Sequence, residues 1–453
     1  MEKTILNLIE ERKFTKLREI LIDMNPADIA SVLEEASEND LPLVFRILPK
    51  ESAAELFSYM ESDLQQALIE KLSDTELKGV FNELFMDDTV DILEEMPSNV
   101  AKRILRQTTP EKRKMINELL AYPDDSAGSI MTTEYIDLKR TMTLDEAIEK
   151  IRRVGLQSET VNTCYVLSIH RRLLGIITLK DLLLHPKNTL VQDIMDQNII
   201  SANTLDDKEE VANLFEKYDI MELPVVDKEN RLVGIVTVDD AIDVLQEEAT
   251  EDIEKMAAIL PSDKSYFKTS VFSTFKSRIP WLLLLMISAT FTGAIISSFE
   301  NKLTVLPALI TFIPMLMNTA GNGGSQSSVT VIRALSLGDV EWRDIFRVVW
   351  KETRVAIVCS FVLSFVNFLK MVLVDHLVFN TFDTGKYFSE ITVVSITLFF
   401  TVLIAKVIGA ILPMLAKKLN LDPAVMASPF ITTIVDAISL LIYFNVAVLV
   451  LRV

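Results

Sequence analysis

Apolar residues recur at helical spacing through the first 122 residues, as at Ile29 and Leu33, with Glu and Lys between them. Spacings of three and four residues place such side chains on one face of a helix. A weak echo at 48 residues, in which Leu48-Pro resembles Met96-Pro, predicts that a proline opens a new helix in both places. The pattern predicts an all-helical domain over 1–122, built as stacked hairpins in a short solenoid.

From about residue 123 onward, short apolar strands alternate with helices. A segment that begins at Gly175 returns 59 residues later at Gly234, and both read Gly, two apolar residues, Thr, two variable residues and Asp. The tandem resembles a pair of CBS modules, an α/β fold, which we expect over 123–186 and 187–248. That resemblance implies ATP or a related adenosine nucleotide as a ligand, held at Thr178, Asp181, Thr237 and Asp240. The alternative is that each Thr–Asp pair only caps the helix that follows.

The next predicted helix is strongly acidic and forms a connecting segment over 249–275. Glu248, Glu251 and Asp252 lie three and four residues apart, so they share one face of this helix. A solvated surface is the usual meaning of such a stripe. Asp243 precedes it closely, however, so packing would bring like charges together and would favour an oxygen-seeking cation such as Mg²⁺ or Ca²⁺.

The remaining residues, 276–453, are hydrophobic enough to form a membrane domain made only of helices. Five spans are predicted, at about 280–299, 303–334, 353–376, 388–416 and 425–451. The loops after the second and fourth spans carry most of the basic residues. The positive-inside rule then places the N-terminal half in the cytoplasm and the spans among the lipids of the cytoplasmic membrane.

The stretch from Pro314 to Gln326 is unusually polar for a membrane span. Because hydrocarbon does not solvate amides, we interpret it as irregular backbone facing a water-filled path. The residues expected to line this path are Asn318, Gly321, Asn322, Gly323, Gly324, Gln326 and Ser428. Asp436 lies near the middle of the last span with no basic neighbour in the sequence, which makes it a functional candidate. The alternative is a structural Asp that is protonated or hydrogen-bonded.

Charge is divided unevenly along the chain. Residues 1–275 carry 31 Lys/Arg and 54 Asp/Glu, whereas 276–453 carry 14 and 10. This acidity argues against nucleic-acid binding and favours either cation binding or simple solubility. Cys164 and Cys359 lie in different halves, and the 3 scattered histidines form no zinc motif. The N-terminus shows no signal-peptide pattern.

In this order, the predicted domains resemble the MgtE family of magnesium channels and transporters over essentially the whole chain. Two motifs carry the resemblance: Pro314 with the segment Gly321 to Gln326, and the segment from Asp422-Pro to Asp436. The resemblance implies a homodimer whose pore follows the two-fold axis and is lined by the second and fifth membrane helices. It implies Mg²⁺ uptake across the cytoplasmic membrane, with Asp436 facing the hydrated ion.

The resemblance also implies regulation, in which intracellular Mg²⁺ binds cytoplasmic acids and closes the pore. The implied ligands are Asp87, Asp88, Asp91, Glu209, Asp219, Asp240, Asp243, Glu248, Glu251, Asp252 and Asp422. At low Mg²⁺ these acids would repel one another and favour the open state, so the ion would act by shifting populations.

Two other functions are open at this stage. Asn318 stands where many relatives have Asp or Gly, so the alternative is a transporter of another divalent cation, such as Co²⁺, with a general divalent-ion sensor. A membrane enzyme regulated by CBS modules, such as an intramembrane metalloprotease, would need a His-Glu-x-x-His type site. Residues 276–453 contain only His376, so we do not expect an enzyme.

Overall fold

The computed structural model describes residues 2–262, 266, 269–299, 307–376, 387–426 and 428–451. The chain divides into two compact units, Met1–Leu245 and Gln246–Val453. Helix α15 (Val238–Met256) begins in the first unit and ends in the second. The acidic segment predicted to connect the two halves therefore continues directly from the last helix of the CBS-like region.

The first unit opens with helices only, as the periodicity predicts. They are α1 (Glu2–Glu10), α2 (Phe14–Ile22), α3 (Pro26–Leu33), α4 (Leu41–Ile47), α5 (Lys50–Ser58), α6 (Ser62–Lys71), α7 (Asp74–Glu83), α8 (Met86–Glu95), α9 (Ser98–Gln107) and α10 (Pro110–Leu119). Local caps explain several starts: the Asn25 side chain accepts a hydrogen bond from Ala27 N, and Ser73 forms a capping box with Glu76. Helices α3, α5, α7 and α9 pack in succession, which is the pairing that stacked hairpins produce; a solenoid stays a prediction.

Two small sheets of the same topology follow. The first has the order β1 (Asp137–Lys139), β2 (Thr163–Leu167), β3 (Leu173–Thr178), and the second has the order β4 (Ala202–Asn203), β5 (Glu222–Val226), β6 (Leu232–Thr237). In both, the first pair of strands is parallel and the second pair is antiparallel. The helices among them are α11 (Leu144–Val154), α12 (Leu179–Leu184), α13 (Val191–Ile194) and α14 (Lys208–Tyr218).

The repeated glycines occupy equivalent places in these sheets. A Cβ on Gly175 would lie 3.0 Å from Asp196 O, and one on Gly234 would lie 2.6 Å from Thr132 O. The backbone of another segment therefore passes too close to either strand for a side chain. This contact accounts for the glycine that opens both copies of the sequence motif.

The second unit is helical. Its elements after α15 are α16 (Val271–Ser298), α17 (Pro307–Ile310), α18 (Ile313–Ser336), α19 (Ile345–Lys370), α20 (Tyr387–Lys418) and α21 (Ser428–Leu451), with a π-helical turn at Met371–His376. Helix α20 packs against α18, α19 and α21, and α18 also packs against α21. A buried cluster that includes Leu316, Val394, Leu398 and Tyr443 joins α18, α20 and α21.

Four stretches of the described helices are long and apolar enough to cross a membrane: Val271–Ser298, Trp342–Val374, Phe388–Lys418 and Pro423–Leu451. They correspond to the first, third, fourth and fifth predicted spans. The second predicted span, 303–334, corresponds to α18 from residue 313 onward, and its residues 303–306 lie outside the described residues. The amides, hydroxyls and glycines of α18 lower its hydropathy, so its crossing of the membrane stays a prediction.

Candidate metal and ion-conduction sites

Carboxylates crowd around the first turn of helix α8, within the first unit. Asp87 is 7% exposed, and its Oδ1 accepts a hydrogen bond of 2.9 Å from Asp88 N. Glu134, from the segment before β1, accepts a hydrogen bond of 2.8 Å from Met86 N. Asp91, one turn further along α8, reaches solvent at the rim of this group. The structure thus brings the predicted acids of α8 beside Glu134, a side chain from the CBS-like region.

The closeness of these groups raises their pKa values. Burial, followed by the charges of Asp240 and Asp239, raises the pKa of Asp88 to about 6. Burial and Asp88 raise the pKa of Asp87, while burial and Asp87 raise that of Glu159. Each carboxylate therefore makes it harder for the others to ionise. A divalent cation would relieve this repulsion without protonation.

Lys112 supplies positive charge near this acid cluster, but its ammonium is already engaged. Its Nζ donates hydrogen bonds to Phe81 O at 2.8 Å and to Leu84 O at 2.7 Å. Burial lowers its pKa, in spite of the nearby carboxylates. Lys112 therefore stabilises the C-terminal end of α7 and neutralises only part of the negative charge of the acid cluster.

Within the described residues, no three Asp, Glu, His or Cys side chains are arranged as ligands of one ion. Mg²⁺ loses its water reluctantly and is commonly held through one or two carboxylates and several waters. The acid cluster therefore suits a hydrated cation and does not form an all-protein cage. This donor set, made only of oxygens, suits Mg²⁺ better than a soft metal.

Two of the predicted ligands are separated by the length of a helix. Glu209 lies in the first turn of α14, and Asp219 is the residue that ends this helix, in the left-handed conformation. At 1.5 Å per residue, roughly 15 Å of helix separates them. Within one chain they cannot bind the same ion.

In the second unit, the acids of the connecting helix meet Asp422, but a lysine lies between them. Lys255 Nζ is 2.6 Å from Glu251 Oε1 and 2.6 Å from Asp422 Oδ2. Asp252 accepts a hydrogen bond of 3.3 Å from Ser336 Oγ, and burial followed by Asp422 raises its pKa. The ammonium group of Lys255 therefore partly neutralises this group of predicted metal ligands.

The Thr and Asp side chains of each CBS-like repeat interact at the start of the helix that follows, and the first pair caps its helix. Thr178 forms a capping box with Asp181, and Thr237 Oγ1 donates a hydrogen bond of 2.6 Å to Asp240. The surroundings of the two pairs differ, however. Thr178 lines an open cleft, whereas Asp240 faces the acid cluster of α8, with a pKa raised by burial and by Asp87.

The polar stretch of the membrane half is a regular helix, α18, which corrects the interpretation of irregular backbone. A helix satisfies its own backbone N–H and C=O groups, so the carbonyls of its interior are not available to an ion. Its exposed face carries Asn318, Asn322, Gln326 and Thr330, each four residues after the last, and Asn322 Nδ2 donates to Asn318 Oδ1 at 3.3 Å. These side chains form a continuous polar stripe.

The three glycines of this stretch lie on other faces of α18 than the polar stripe, and their place along the path stays a prediction. Gly321, Gly323 and Gly324 are buried. A Cβ on Gly324 would lie 2.9 Å from Ile431 Cγ2, and one on Gly321 would lie 3.1 Å from Thr432 Cγ2. The glycines therefore allow α20 and α21 to approach α18 closely. Ser428, also expected in the pore, begins α21, and its side chain lies outside the described residues.

Asp436 is half-buried on α21, close to the level of the polar stripe. Val435 packs in one cluster with Ala320 of α18, so Asp436 lies beside the turns that carry Asn318 and Asn322. Over the described part of the chain, Asp436 has no basic partner and no hydrogen-bond donor. A carboxylate in apolar surroundings that lacks a partner is costly, which is typical of a functional position.

Several side chains that contact these sites were not among the predicted site residues. Glu352 is buried in α19 and accepts a hydrogen bond of 2.7 Å from Ser327 Oγ, and the buried Lys406 of α20 lies 3.4 Å from Gln326 Oε1. Glu352 falls just before the predicted third span, 353–376, whereas α19 begins at Ile345. Glu134, Glu159 and Lys255 gave no local signal, since their roles depend on packing.

The chain combines an acid-rich first unit with long apolar helices, and a polar stripe and an unpaired carboxylate lie among those helices. These features are typical of a membrane transporter of cations. Family models agree: "Divalent cation transporter" matches residues 313–446, "MgtE intracellular N domain" matches 24–125, and "CBS domain" matches 127–187 and 191–247. The chain belongs to the MgtE family of magnesium transporters, which confirms the resemblance.

Relatives agree over nearly the full length. The magnesium transporter MgtE of Thermus thermophilus is 35% identical over 447 residues, covering 98% of this chain and 97% of the relative. That of Bacillus subtilis is 34% identical over 448 residues, covering 98% and 96%. The crystal structure of the cytosolic domain of the Mg²⁺ channel MgtE in complex with ATP has a TM-score of 0.52 at 34% identity, covering 54% of this chain and 100% of that domain. The family is one of transporters, which confirms that the chain is not an enzyme.

Proposed function

We propose that this protein is a homodimeric channel or transporter for Mg²⁺ uptake across the cytoplasmic membrane, with its N-terminal half in the cytoplasm. The observation that carries the proposal is Asp436, an unpaired carboxylate beside the stripe of Asn318, Asn322 and Gln326. Helix α18 would be the second of five spans, which would place the stripe along the pore. Hydrated Mg²⁺ would be held by Asp436 from both protomers, with the amides bonded to its waters.

The pore test is a flux assay with the full chain in liposomes, using a Mg²⁺-sensitive dye inside. Asp436→Asn keeps the shape of the side chain but removes the charge, so we expect flux to fall at least tenfold. Asp339→Asn, an exposed acid in the second unit, is the matched control and should retain full flux. Undiminished flux in Asp436→Asn would exclude Asp436 from the pore. Competition by Co²⁺, Mn²⁺ and Ca²⁺ tests the alternative of another divalent substrate.

We propose further that intracellular Mg²⁺ closes the pore by binding the acid cluster of α8 and the acids of α15. The supporting observation is the mutual repulsion of Asp87, Asp88 and Asp240, which a bound cation would turn into attraction. In patch recordings, Asp88→Asn should raise the internal Mg²⁺ concentration that halves the current. Asp28→Asn, an exposed acid of α3, should leave it unchanged. An identical closing concentration in Asp88→Asn would count against a sensor at α8.

ATP is the proposed second regulator, acting at the CBS pair. The relative crystallised with ATP supports this, together with the open cleft beside Thr178. Titration of the full chain with ATP tests it directly, with Mg²⁺ present to hold the acid cluster closed.

A further inference from the structure

An open groove of about 380 Å³ runs along one face of helix α19 in the second unit. The described residues that line it are Lys351, Arg354, Val355, Val358 and Cys359. Spacings of three and four residues place these side chains on one face of the helix. A different face of α19, with Ala356 and Ser360, is buried, whereas Val355 and Val358 are 41% and 63% exposed. The groove therefore lies on the outward face of α19.

The groove has a charged end and an apolar end. Residues 355–369 of α19 carry no charge, and they belong to a stretch that is long and apolar enough to cross a membrane. Lys351 and Arg354 directly precede these residues, so their charges lie at the level of lipid headgroups, while Val355 and Val358 lie at the level of acyl chains. At 1.5 Å per residue, the groove extends roughly 12 Å along the helix. Its occupant must therefore be amphipathic.

The two cations of the groove are not neutralised by acids. Across the part of the chain that the structure describes, Lys351 and Arg354 form no ion pair, whereas Arg347, one turn earlier, lies 3.2 Å from Asp344. The Arg354 guanidinium lies 5.8 Å from the centroid of the Trp350 ring, which is 63% exposed. Contact with an aromatic face leaves the N–H groups at the edge of the guanidinium able to donate to phosphate oxygens. The charged end of the groove therefore favours an anion.

We propose that this groove binds an anionic phospholipid. The phosphate of the lipid contacts Lys351 and Arg354, and one acyl chain lies against Val355 and Val358. Charge complementarity selects the anionic headgroup, and Trp350 supplies the aromatic side chain that is typical of the membrane interface. With the proposed orientation of the chain, this lipid belongs to the cytoplasmic leaflet. The inference goes beyond the proposed transport and does not depend on which ion passes.

The test is quenching of tryptophan fluorescence by brominated lipids, with the full chain reconstituted in phosphatidylcholine vesicles in the presence of EDTA. Trp350 is the reporter, and the signal that Trp350→Phe removes is its share of the fluorescence. Brominated phosphatidylglycerol should reach half of its quenching of Trp350 at a mole fraction at least fivefold lower than brominated phosphatidylcholine. The reason is that each Lys or Arg near a membrane surface favours an anionic lipid by about fivefold. Equal quenching by the two lipids would overturn the inference.

Charge variants test which side chains hold the headgroup. The double variant Lys351→Gln with Arg354→Gln should lose the preference for phosphatidylglycerol, and a retained preference would exclude this groove. Lys351→Arg keeps the charge and should keep the preference. Lys417→Gln, an exposed lysine of α20 at the same predicted membrane surface, is the matched control and should also keep it.

Two other occupants are separated by further measurements. If inorganic phosphate relieved the quenching as well as unlabelled phosphatidylglycerol does, the groove would be a site for a small anion. If the double variant dissociated in detergent while the parent chain stayed a dimer, as judged by light scattering, this face would contact a second copy of the chain. Either outcome would overturn the lipid site, while the flux assay for Mg²⁺ transport remains independent.

Discussion

Replacement of Gly409 by alanine should break a close contact between helices α18 and α20. A Cβ on Gly409 of α20 would overlap Gly324 O of α18 and would lie 2.9 Å from Gly324 C. Non-bonded carbon atoms attract at about 3.5–4.0 Å, so the helices must separate by about 1 Å. Neither obstacle is a flexible side chain that could move aside. The separation would also loosen the packing of α18, which carries the polar stripe.

The expected cost follows from this geometry and from comparison with two other glycines. Overpacking of a close-packed interior costs about 1–3 kcal/mol, and the backbone clash places Gly409→Ala at the upper end. Gly321→Ala should cost less, since its Cβ would meet the Thr432 methyl at 3.1 Å, which can shift by a few tenths of an ångström. Gly293→Ala is the control: nothing lies within 4 Å of its Cβ, and alanine is the better helix former by about 1 kcal/mol.

Thermal unfolding in detergent and Mg²⁺ flux per reconstituted protein are the measurements. We expect the unfolding midpoint of Gly293→Ala to equal or exceed that of the parent chain, with Gly321→Ala lower and Gly409→Ala lowest. Flux should stay at the parent level in Gly293→Ala and fall in the same order in the other two variants. A Gly409→Ala protein as stable and as active as Gly293→Ala would refute the contact between α18 and α20. Loss of flux with unchanged stability would instead mean that the glycine serves motion and not packing.

Two further predictions concern the acids. Lys255→Met should leave Glu251 and Asp422 without the lysine that pairs with both, so less Mg²⁺ should be needed to protect α15 from proteolysis. In EDTA, the free energy of unfolding should fall by about 1 kcal/mol, because two half-exposed ion pairs are lost. The control is Lys114→Met, which removes an exposed ion pair. In EDTA the first unit should lose stability as the pH rises from about 4 through 6, because the raised pKa of Asp88 makes the folded state bind more protons than the unfolded state there. Bound Mg²⁺ should make the unfolding midpoint less dependent on pH. An unfolding midpoint in EDTA that rises with pH over this range would contradict the prediction.

The order of domains and the family could be predicted because both rest on local patterns. Helical periodicity, the repeated Gly-to-Asp motif and long apolar runs each arise within a few dozen residues, and each matches an element of the structure. The cap formed by Thr178 and Asp181 was likewise open to prediction, since its atoms lie three residues apart. The prediction of irregular backbone between Pro314 and Gln326 was wrong because it relied on composition alone. A polar stretch can still form a helix, which satisfies its own backbone hydrogen bonds.

Tertiary structure decided which side chains meet. Asn318 and Gly321 are neighbours in sequence, yet one lies on the open stripe and the other in a helix contact, because α20 and α21 cover only part of α18. Packing over long sequence separations brings Glu134 to α8 and Lys255 to Asp422, and no local pattern encodes those distances. The sequence by itself therefore determined the kinds of elements and the supply of carboxylates, whereas packing decided which carboxylates repel one another and which are paired.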